Sequence, residues 1–161
     1  MLVTTAAVAA ATINVLTDSD QPIRSPAMSV EVVAVIDGDT VRVESLDGID
    51  LGRVRLLGID APELAHEEEA ADCFAHDARR HLRELLGRGV LVELTADAGE
   101  PDRDVYGRLL RYLDVGDVDV AEAMLAQGAA RRYPGPLERG RAYEDAAARA
   151  RAAKAGLHAA C

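Results

Sequence analysis

Three short apolar segments follow one another between residues 30 and 59, and their spacing leaves few possible folds. In each segment apolar and polar side chains alternate, as is typical of half-buried strands; the segments span 30–37, 40–45 and 49–59. The Asp37–Gly38 pair and the Leu-Asp-Gly sequence at 46–48 separate them, and such turns join antiparallel neighbours. The sequence therefore predicts a three-stranded antiparallel meander.

Two more strands and three helices are predicted in the remainder of the chain. Alternation predicts strands at 90–96 and 105–115, and apolar residues three or four positions apart predict helices within 66–89, 119–128 and 137–156. Five short antiparallel strands leave exposed edges unless the sheet closes on itself. We therefore expect a mainly β, α+β domain, namely a five-stranded OB-fold barrel with three helices.

The first 28 residues differ in character from the rest of the chain. Residues 1–17 carry no charge and are too short for a membrane span, which needs about 20 apolar residues. They also lack the basic region that begins a secretory signal, so an unusual export signal, a mis-assigned start before Met28 and a simple tail all remain open. We favour an export signal and linker in 1–28, a domain over 29–161, and an extracytoplasmic or secreted protein.

The two cysteines, Cys73 and Cys161, lack the spacing of a metal site. A lone cysteine is most often a buried apolar residue, but Cys161 is the last residue of the sequence, where it would fill little space. A disulfide between them would close a loop from 73 to 161, and a loop of that length contributes roughly 4–5 kcal/mol in the chain-entropy model. We expect this disulfide, which favours an oxidising compartment.

The net charge of −10 argues against a protein whose whole surface attracts nucleic acid. The charge is unevenly distributed, however, since residues 121–161 contain seven basic and four acidic side chains. Overall charge governs non-specific affinity and leaves room for a local cationic site.

Carboxylates gather at one end of the predicted meander. Asp39 begins a strand, where acidic residues are disfavoured, and Asp60 and Glu63 follow the third strand directly. The antiparallel order brings Asp39 and Asp60 to the same end of the sheet. Two neighbouring carboxylates repel unless a proton or a cation lies between them, and Ca²⁺ or Mg²⁺ is the usual cation. Each aspartate alone is typical of a turn cap; the pair with Glu63 favours a metal site.

Two arginines accompany these acids. Arg55 lies in the third strand, five residues before Asp60, and Arg108 lies near the start of the fifth strand. If Arg55 faces the barrel interior it needs an anionic partner, whereas strand parity also permits an outward orientation with Arg53. Two guanidinium groups beside a metal would bind a phosphate bidentately and stabilise charge in phosphoryl transfer.

Three motifs, IDGDTVRV, RVRLLGIDAPE and DVYGRLL, occur in this order with a predicted helix between the last two. Together they resemble the staphylococcal nuclease (thermonuclease) family. The resemblance implies an OB-fold hydrolase with one Ca²⁺ ion, a nuclease that does not discriminate between sugars. It would cleave single-stranded or denatured DNA and RNA and leave 3′-phosphates. We expect a monomer without a stable membrane partner.

The resemblance also implies roles for four residues at the end of the meander. Asp39 and Asp60 match the metal-binding carboxylates, and the backbone carbonyl of Ala61 matches a third metal ligand. Glu63 matches the carboxylate that orients or deprotonates the attacking water.

Four further residues match the positions that bind substrate. Arg55 and Arg108 match the pair that binds the scissile phosphate. Tyr106 matches a contact to a nucleotide phosphate, although a plain surface aromatic is equally consistent with its position. Tyr133 corresponds to a tyrosine that stacks on a base, an interaction worth roughly 1–3 kcal/mol per base.

Two other functions remain to be weighed against catalysis. A catalytically weak, nuclease-like module could bind nucleic acid or protein without cutting, and a Ca²⁺-stabilised barrel would account for the acids alone. A binding module needs no complete set of catalytic side chains, and a stabilised barrel leaves both arginines without a role. The presence of all five residues favours the enzyme: Asp39, Arg55, Asp60, Glu63 and Arg108.

Overall fold

The computed structural model describes residues 27–65 and 70–161. The strands are β1 (Met28–Val35), β2 (Thr40–Ser45), β3 (Asp50–Leu56), β4 (Ile59–Asp60), β5 (Leu91–Thr95), β6 (Leu109–Val115), β7 (Val118–Asp119) and β8 (Arg131–Arg132). The helices are α1 (Ala75–Leu85), α2 (Val120–Ala126), α3 (Gly140–Ala152) and the short α4 (Leu157–Ala160). The proposed export signal lies almost wholly outside the described residues. Within those ranges, every helix is too short or too polar to cross a bilayer.

Five strands close into a barrel, as predicted from the sequence. Antiparallel pairing runs in the order β3-β2-β1-β5-β6, and β3 also pairs with β6 in parallel, so the sheet returns to its first strand. The sheet thereby hides both edges. The three longer helices pack outside it, and the mainly β, α+β class with an OB-type barrel is confirmed.

The barrel interior is filled by aliphatic side chains. β1 and β2 place alternate valines inward, among them Val30, Val32, Val41 and Val43, each inaccessible to solvent. A bulge between Val32 and Ala34 shifts the register of β1 against β2. Aliphatic packing of this kind fixes the strands that carry the functional residues.

The predicted third strand, 49–59, is interrupted. It splits into β3 and β4 because Gly58 adopts a φ of +77°, which side-chain-bearing residues rarely accept. A Cβ on Gly58 would also lie 2.5 Å from the ring of Tyr143. β4 therefore leaves the barrel sheet and pairs with β8.

The predicted fifth strand and first helix both begin later than expected. The backbone N–H groups of Tyr106 and Arg108 donate to Asp104 Oδ1, each at 2.9 Å, and this turn delays β6 until Leu109. Phe74 has a left-handed φ of 73° and precedes α1, so the helix begins at Ala75 and excludes Ala70.

The C-terminal segment, residues 156–161, is attached to the domain at two points. Leu157 is buried, and its N–H donates to the carbonyl of Gly128 at 2.9 Å. A disulfide joins Cys161 to Cys73, just before α1. The segment therefore connects the end of α2 to the chain that enters α1.

Candidate active site

Asp39 follows the turn between β1 and β2 and is only 3% exposed. Its own N–H donates to Asp37 Oδ1, which shapes the turn. Its Oδ1 accepts the Thr40 hydroxyl at 3.1 Å, and its Oδ2 accepts the Ala61 N–H at 2.8 Å. The carboxylate therefore joins the first hairpin to the segment after β4.

Gly38 permits this close approach. A Cβ at that position would lie 2.5 Å from the Cβ of Ala61 and 3.0 Å from that of Ala78. The Asp-Gly pair is therefore more than a turn signal, because the glycine lets Asp39 contact the Ala61 backbone.

Arg55 connects the two aspartates. Its Nη1 lies 2.9 Å from Asp39 Oδ2, and its Nη2 lies 3.1 Å from Asp60 Oδ1. The guanidinium also donates to the carbonyl of Ile59 at 2.8 Å. Arg55 lies on the outer face of β3, opposite the buried Val54 and Leu56. Its side chain is nevertheless only 14% exposed, and it has the anionic partners that a largely buried arginine requires.

The Asp39 carboxyl is incompletely compensated. Its pKa is raised to about 7, because the effect of burial, to which the Asp37 carboxylate adds, outweighs the lowering by the Arg55 guanidinium. A full negative charge on Asp39 is therefore costly until more positive charge approaches.

The donor chemistry of this position fits a hard divalent cation. Asp39 and Asp60 bring carboxylate oxygens to one guanidinium, and Ca²⁺ prefers such oxygen ligands. Across residues 27–65 and 70–161, no group of three or more Asp, Glu, His or Cys side chains forms a metal site. An ion here would therefore need backbone and water oxygens in addition to the two carboxylates.

Arg108 is held beside the same carboxylates through Thr40. Its Nε lies 2.7 Å from Asp104 Oδ2, and its Nη1 donates to the Thr40 hydroxyl at 3.4 Å. That hydroxyl in turn donates to Asp39. Tyr106 is 76% exposed, and its ring centre lies 5.5 Å from the Arg108 guanidinium carbon.

Both arginines line one open cavity of about 300 Å³. Tyr133 lines another part of it, and its N–H donates to the carbonyl of Gly58, which fixes its backbone to the turn between β3 and β4. More than half of the Tyr133 side chain remains exposed. The cavity thus combines two cationic groups with an aromatic face.

Glu63 lies exposed in the irregular segment after β4. Its N–H donates to Asp72 Oδ2 at 3.0 Å, and its carbonyl accepts the Asp72 N–H at 2.9 Å. The position of Glu63 therefore depends on a residue nine places further along the chain.

Sequence reasoning missed three residues of this arrangement: Thr40, Asp72 and Asp104. Asp104 had a detectable signal, because an aspartate two residues before Tyr106 and three before Gly107 is typical of a turn. Thr40 and Asp72 had none, since their importance comes from contacts between distant segments.

Comparison with known proteins gives a match over most of the domain. Residues 53–160 match the family model described as staphylococcal nuclease homologue. Over 104 residues the chain is 36% identical to the SPbeta prophage-derived endonuclease YokF of Bacillus subtilis, an alignment covering 65% of this chain and 34% of that protein. Endonuclease YncB of Bacillus subtilis is also 36% identical over 104 residues, an alignment covering 65% of this chain and 47% of that protein.

A thermonuclease of Staphylococcus hyicus is 30% identical over 141 residues, covering 81% of this chain and 78% of that protein. The chain spans less than half of both Bacillus proteins but most of the staphylococcal one.

Proposed function

The chain belongs to the staphylococcal nuclease family, and on that premise we propose that it is a phosphodiesterase that cleaves nucleic acid. Its substrates are single-stranded or denatured DNA and RNA, cleaved with one Ca²⁺ ion to leave 3′-phosphates. The whole-protein activity is part of the proposal, because the chain spans only a part of the named Bacillus endonucleases.

One observation carries the proposal: Arg55 and Arg108 line the same cavity, and both are connected to Asp39. A pair of guanidinium groups matches the oxygens of a phosphodiester, and such hydrogen bonds strengthen as negative charge develops. A barrel that merely bound Ca²⁺ would have no use for this pair.

The residues around Asp39 would hold the ion. Asp39, Asp60 and the carbonyl of Ala61 are the proposed protein ligands. Bound Ca²⁺ would neutralise negative charge on the phosphate. It would also compensate the charge of the buried Asp39 carboxylate.

Glu63 would accept a proton from the attacking water or orient that water. Its exposed position, three residues after Asp60, suits contact with solvent. Arg55 and Arg108 would hold the phosphate in position meanwhile, which lowers the entropic part of the barrier.

The lining of the cavity accounts for tolerance of both sugars. Arginine side chains recognise the phosphate, which DNA and RNA share, and a tyrosine face stacks on any base. Tyr133 and Tyr106 are the proposed aromatic contacts. Stacking requires an unpaired base, which favours single strands and denatured duplex.

The test is cleavage of a fluorescent single-stranded DNA oligonucleotide by purified protein with Ca²⁺, and again with excess chelator. We expect cutting with Ca²⁺ that stops on chelation, and 3′-phosphate ends by mass spectrometry. A folded sample that cuts with none of Ca²⁺, Mg²⁺ and Mn²⁺ contradicts the proposal. Binding of the same oligonucleotide, measured by fluorescence anisotropy, would then support the binding module instead.

We also propose an extracytoplasmic location and an autonomous domain over residues 29–161. The Cys73–Cys161 disulfide supports the location, because such bonds persist in oxidising compartments. Residues 1–28 fused to an alkaline phosphatase that folds only outside the cytoplasm should make the reporter active. An inactive reporter would contradict export, and a 29–161 fragment that fails to fold would contradict the domain boundary.

A further inference from the structure

Two hydrogen bonds join the Glu63 backbone to Asp72. The Glu63 N–H donates to the Asp72 carboxylate, and the Asp72 N–H donates to the Glu63 carbonyl. Glu63 lies outside the regular strands, so these two bonds replace the support that a strand would provide. Asp72 therefore helps to place the backbone that presents the Glu63 side chain.

Asp72 is itself attached on its C-terminal side. Its carbonyl accepts the N–H of Ala75, the first residue of α1, at 3.1 Å. The next residue, Cys73, is bonded to Cys161. Asp72 therefore lies between the residue it holds and a covalent link to the C-terminal segment.

The C-terminal segment provides a firm attachment. Leu157 is 2% exposed and donates its N–H to Gly128. Gly156 and Gly128 pack so closely that a Cβ on Gly156 would lie 2.4 Å from the Gly128 carbonyl oxygen. Packing and a hydrogen bond thus fix the C-terminal segment to the end of α2, and the disulfide links that segment to the residue next to Asp72.

We propose that Asp72 is a positioning residue for Glu63 and that the Cys73–Cys161 disulfide keeps it in place, so that nuclease turnover depends on the redox state of this bond. The inference rests on the proposed function, since it concerns the residue assigned to the attacking water. It adds a control on that activity: the enzyme is fully active in an oxidising compartment and weak in a reducing one.

Reduction of the disulfide is balanced by a dithiol. Dithiothreitol supplies two electrons and two protons, Cys73 and Cys161 become thiols, and the reagent closes to its cyclic disulfide. Asp72 then retains its hydrogen bonds, but the adjacent Cys73 is no longer linked to the C-terminal segment. Because small displacements of a reacting group are costly, kcat should fall on the order of tenfold. KM should stay within about twofold, because Arg55 lies in β3 and Arg108 directly before β6, whereas the disulfide joins residues outside the barrel strands.

The first experiment compares oxidised and reduced protein in the oligonucleotide assay, well below the melting temperature of either form. Thiol titration confirms complete reduction. The double variant Cys73→Ser, Cys161→Ser should have the kcat of the reduced wild type, and dithiothreitol should not change that kcat. Equal kcat in the two forms of the wild type, with two thiols titrated, overturns the inference.

The second experiment separates positioning from general stability. Asp72→Ala should lower kcat on the order of tenfold, whereas Asp72→Asn keeps an acceptor for the Glu63 N–H and should restore most of it. Asp77→Asn is the matched control, because Asp77 lies on α1 with Arg80 as its partner. In a Glu63→Gln background, Asp72→Ala should cause no further loss.

The outcomes are distinguishable. If the oxidised wild type fails to cut with each of the metals tested, the proposed function is wrong. Oxidised wild type that cuts, but equally well after reduction or with Asp72→Ala, defeats only the positioning role. An undiminished effect of Asp72→Ala in the Glu63→Gln background also defeats it, because the residue would then act independently of Glu63.

Discussion

At the scale of single residues, the charged side chains of the site pair with one another before any ligand arrives, although one guanidinium compensates two carboxylates only in part. Arg55 pairs with Asp39 and Asp60, and Arg108 pairs with Asp104. A buried ion pair of this kind fixes geometry more than it adds stability. The guanidinium groups are thereby held in place beside the cavity in the absence of substrate.

Glu63→Gln tests the proposed role of an exposed acid of the site. We expect kcat to fall by about 10²–10⁴, the usual contribution of an acid–base group. Tm should barely move, because glutamine is isosteric and surface substitutions alter stability little. Oligonucleotide cleavage and a thermal melt measure the two effects; full activity would remove Glu63 from the mechanism.

Arg108→Lys tests whether the two parallel hydrogen bonds that a guanidinium can donate to a phosphate matter at this position. Lysine keeps the charge but cannot donate bidentately, so kcat/KM should fall roughly tenfold or more. Arg103→Lys is the control, because Arg103 lies in the same loop and does not line the cavity. Equal kcat/KM for both variants would show that charge alone suffices at position 108.

At the scale of elements, the break between β3 and β4 positions the site. It turns Asp60 out of the barrel sheet and back toward Arg55, and it lets β4 pair with β8 beside Tyr133. An uninterrupted strand over 49–59 would have carried Asp60 straight past Arg55. The geometry of the carboxylates thus depends on one glycine.

Gly58→Ala should test that dependence. The new methyl group would meet the buried Tyr143 ring, and the positive φ would be strained, so the free energy of unfolding should fall by about 3 kcal/mol. Gly48→Ala is the matched control, since its φ is +78° but nothing lies within 4 Å of the added Cβ. It should lose only about 1 kcal/mol. Equal losses in urea unfolding would show that the clash with Tyr143 is negligible.

Asp97 joins β5, β6 and the chain that enters α3. It accepts the Tyr112 hydroxyl and the N–H groups of Gly99 and Glu138. Burial acts to raise its pKa, but these hydrogen bonds outweigh burial and hold the pKa of the carboxyl below its usual value. Asp97→Asn should therefore cost roughly 2 kcal/mol at pH 7.

The sign of the pH effect follows from the lowered pKa. The charged form stabilises the fold above the unfolded pKa of 3.8, and this contribution disappears as pH falls through the lower folded value. The stability difference between wild type and Asp97→Asn, measured by urea unfolding, should thus be constant from pH 7 to 5 and shrink below about pH 4. A difference that grows on acidification would contradict the assignment.

At the scale of the whole molecule, a negatively charged protein presents two arginines at one cavity, and a disulfide ties its last residue to the chain before α1. The net charge is −10, yet two arginines line the cavity. Repulsion of a polyanion acts at long range and is screened by salt, whereas the guanidinium groups act at contact. Overall charge is therefore a poor guide to the substrate here.

Cys161→Ser tests the contribution of the disulfide to stability. The cysteines are 88 positions apart, so loss of the cross-link should cost about 4–5 kcal/mol and lower Tm by roughly 15 °C. With dithiothreitol present, wild type and variant should melt together. Identical melting of the oxidised proteins would contradict a stabilising disulfide.

Local sequence patterns were sufficient for the class of fold. Alternation and turn residues identified the meander, and the need to hide strand edges identified the barrel, because both depend on near neighbours in the chain. The acidic residue before β2 and the acids at and after the end of β4 likewise marked the end of the sheet where Asp39 and Asp60 contact Arg55. Those inferences required no knowledge of distant contacts.

The partners of each side chain were decided only by the closed barrel. Strand parity left Arg55 inward or outward. In the closed barrel Val54 and Leu56 face the core, so Arg55 lies on the outer face of β3, between two carboxylates. The link from Arg108 through Thr40 to Asp39 and the hold of Asp72 on Glu63 join segments that local periodicity cannot relate. Such contacts depend on where the folded chain returns to itself, which is set by packing across the whole domain.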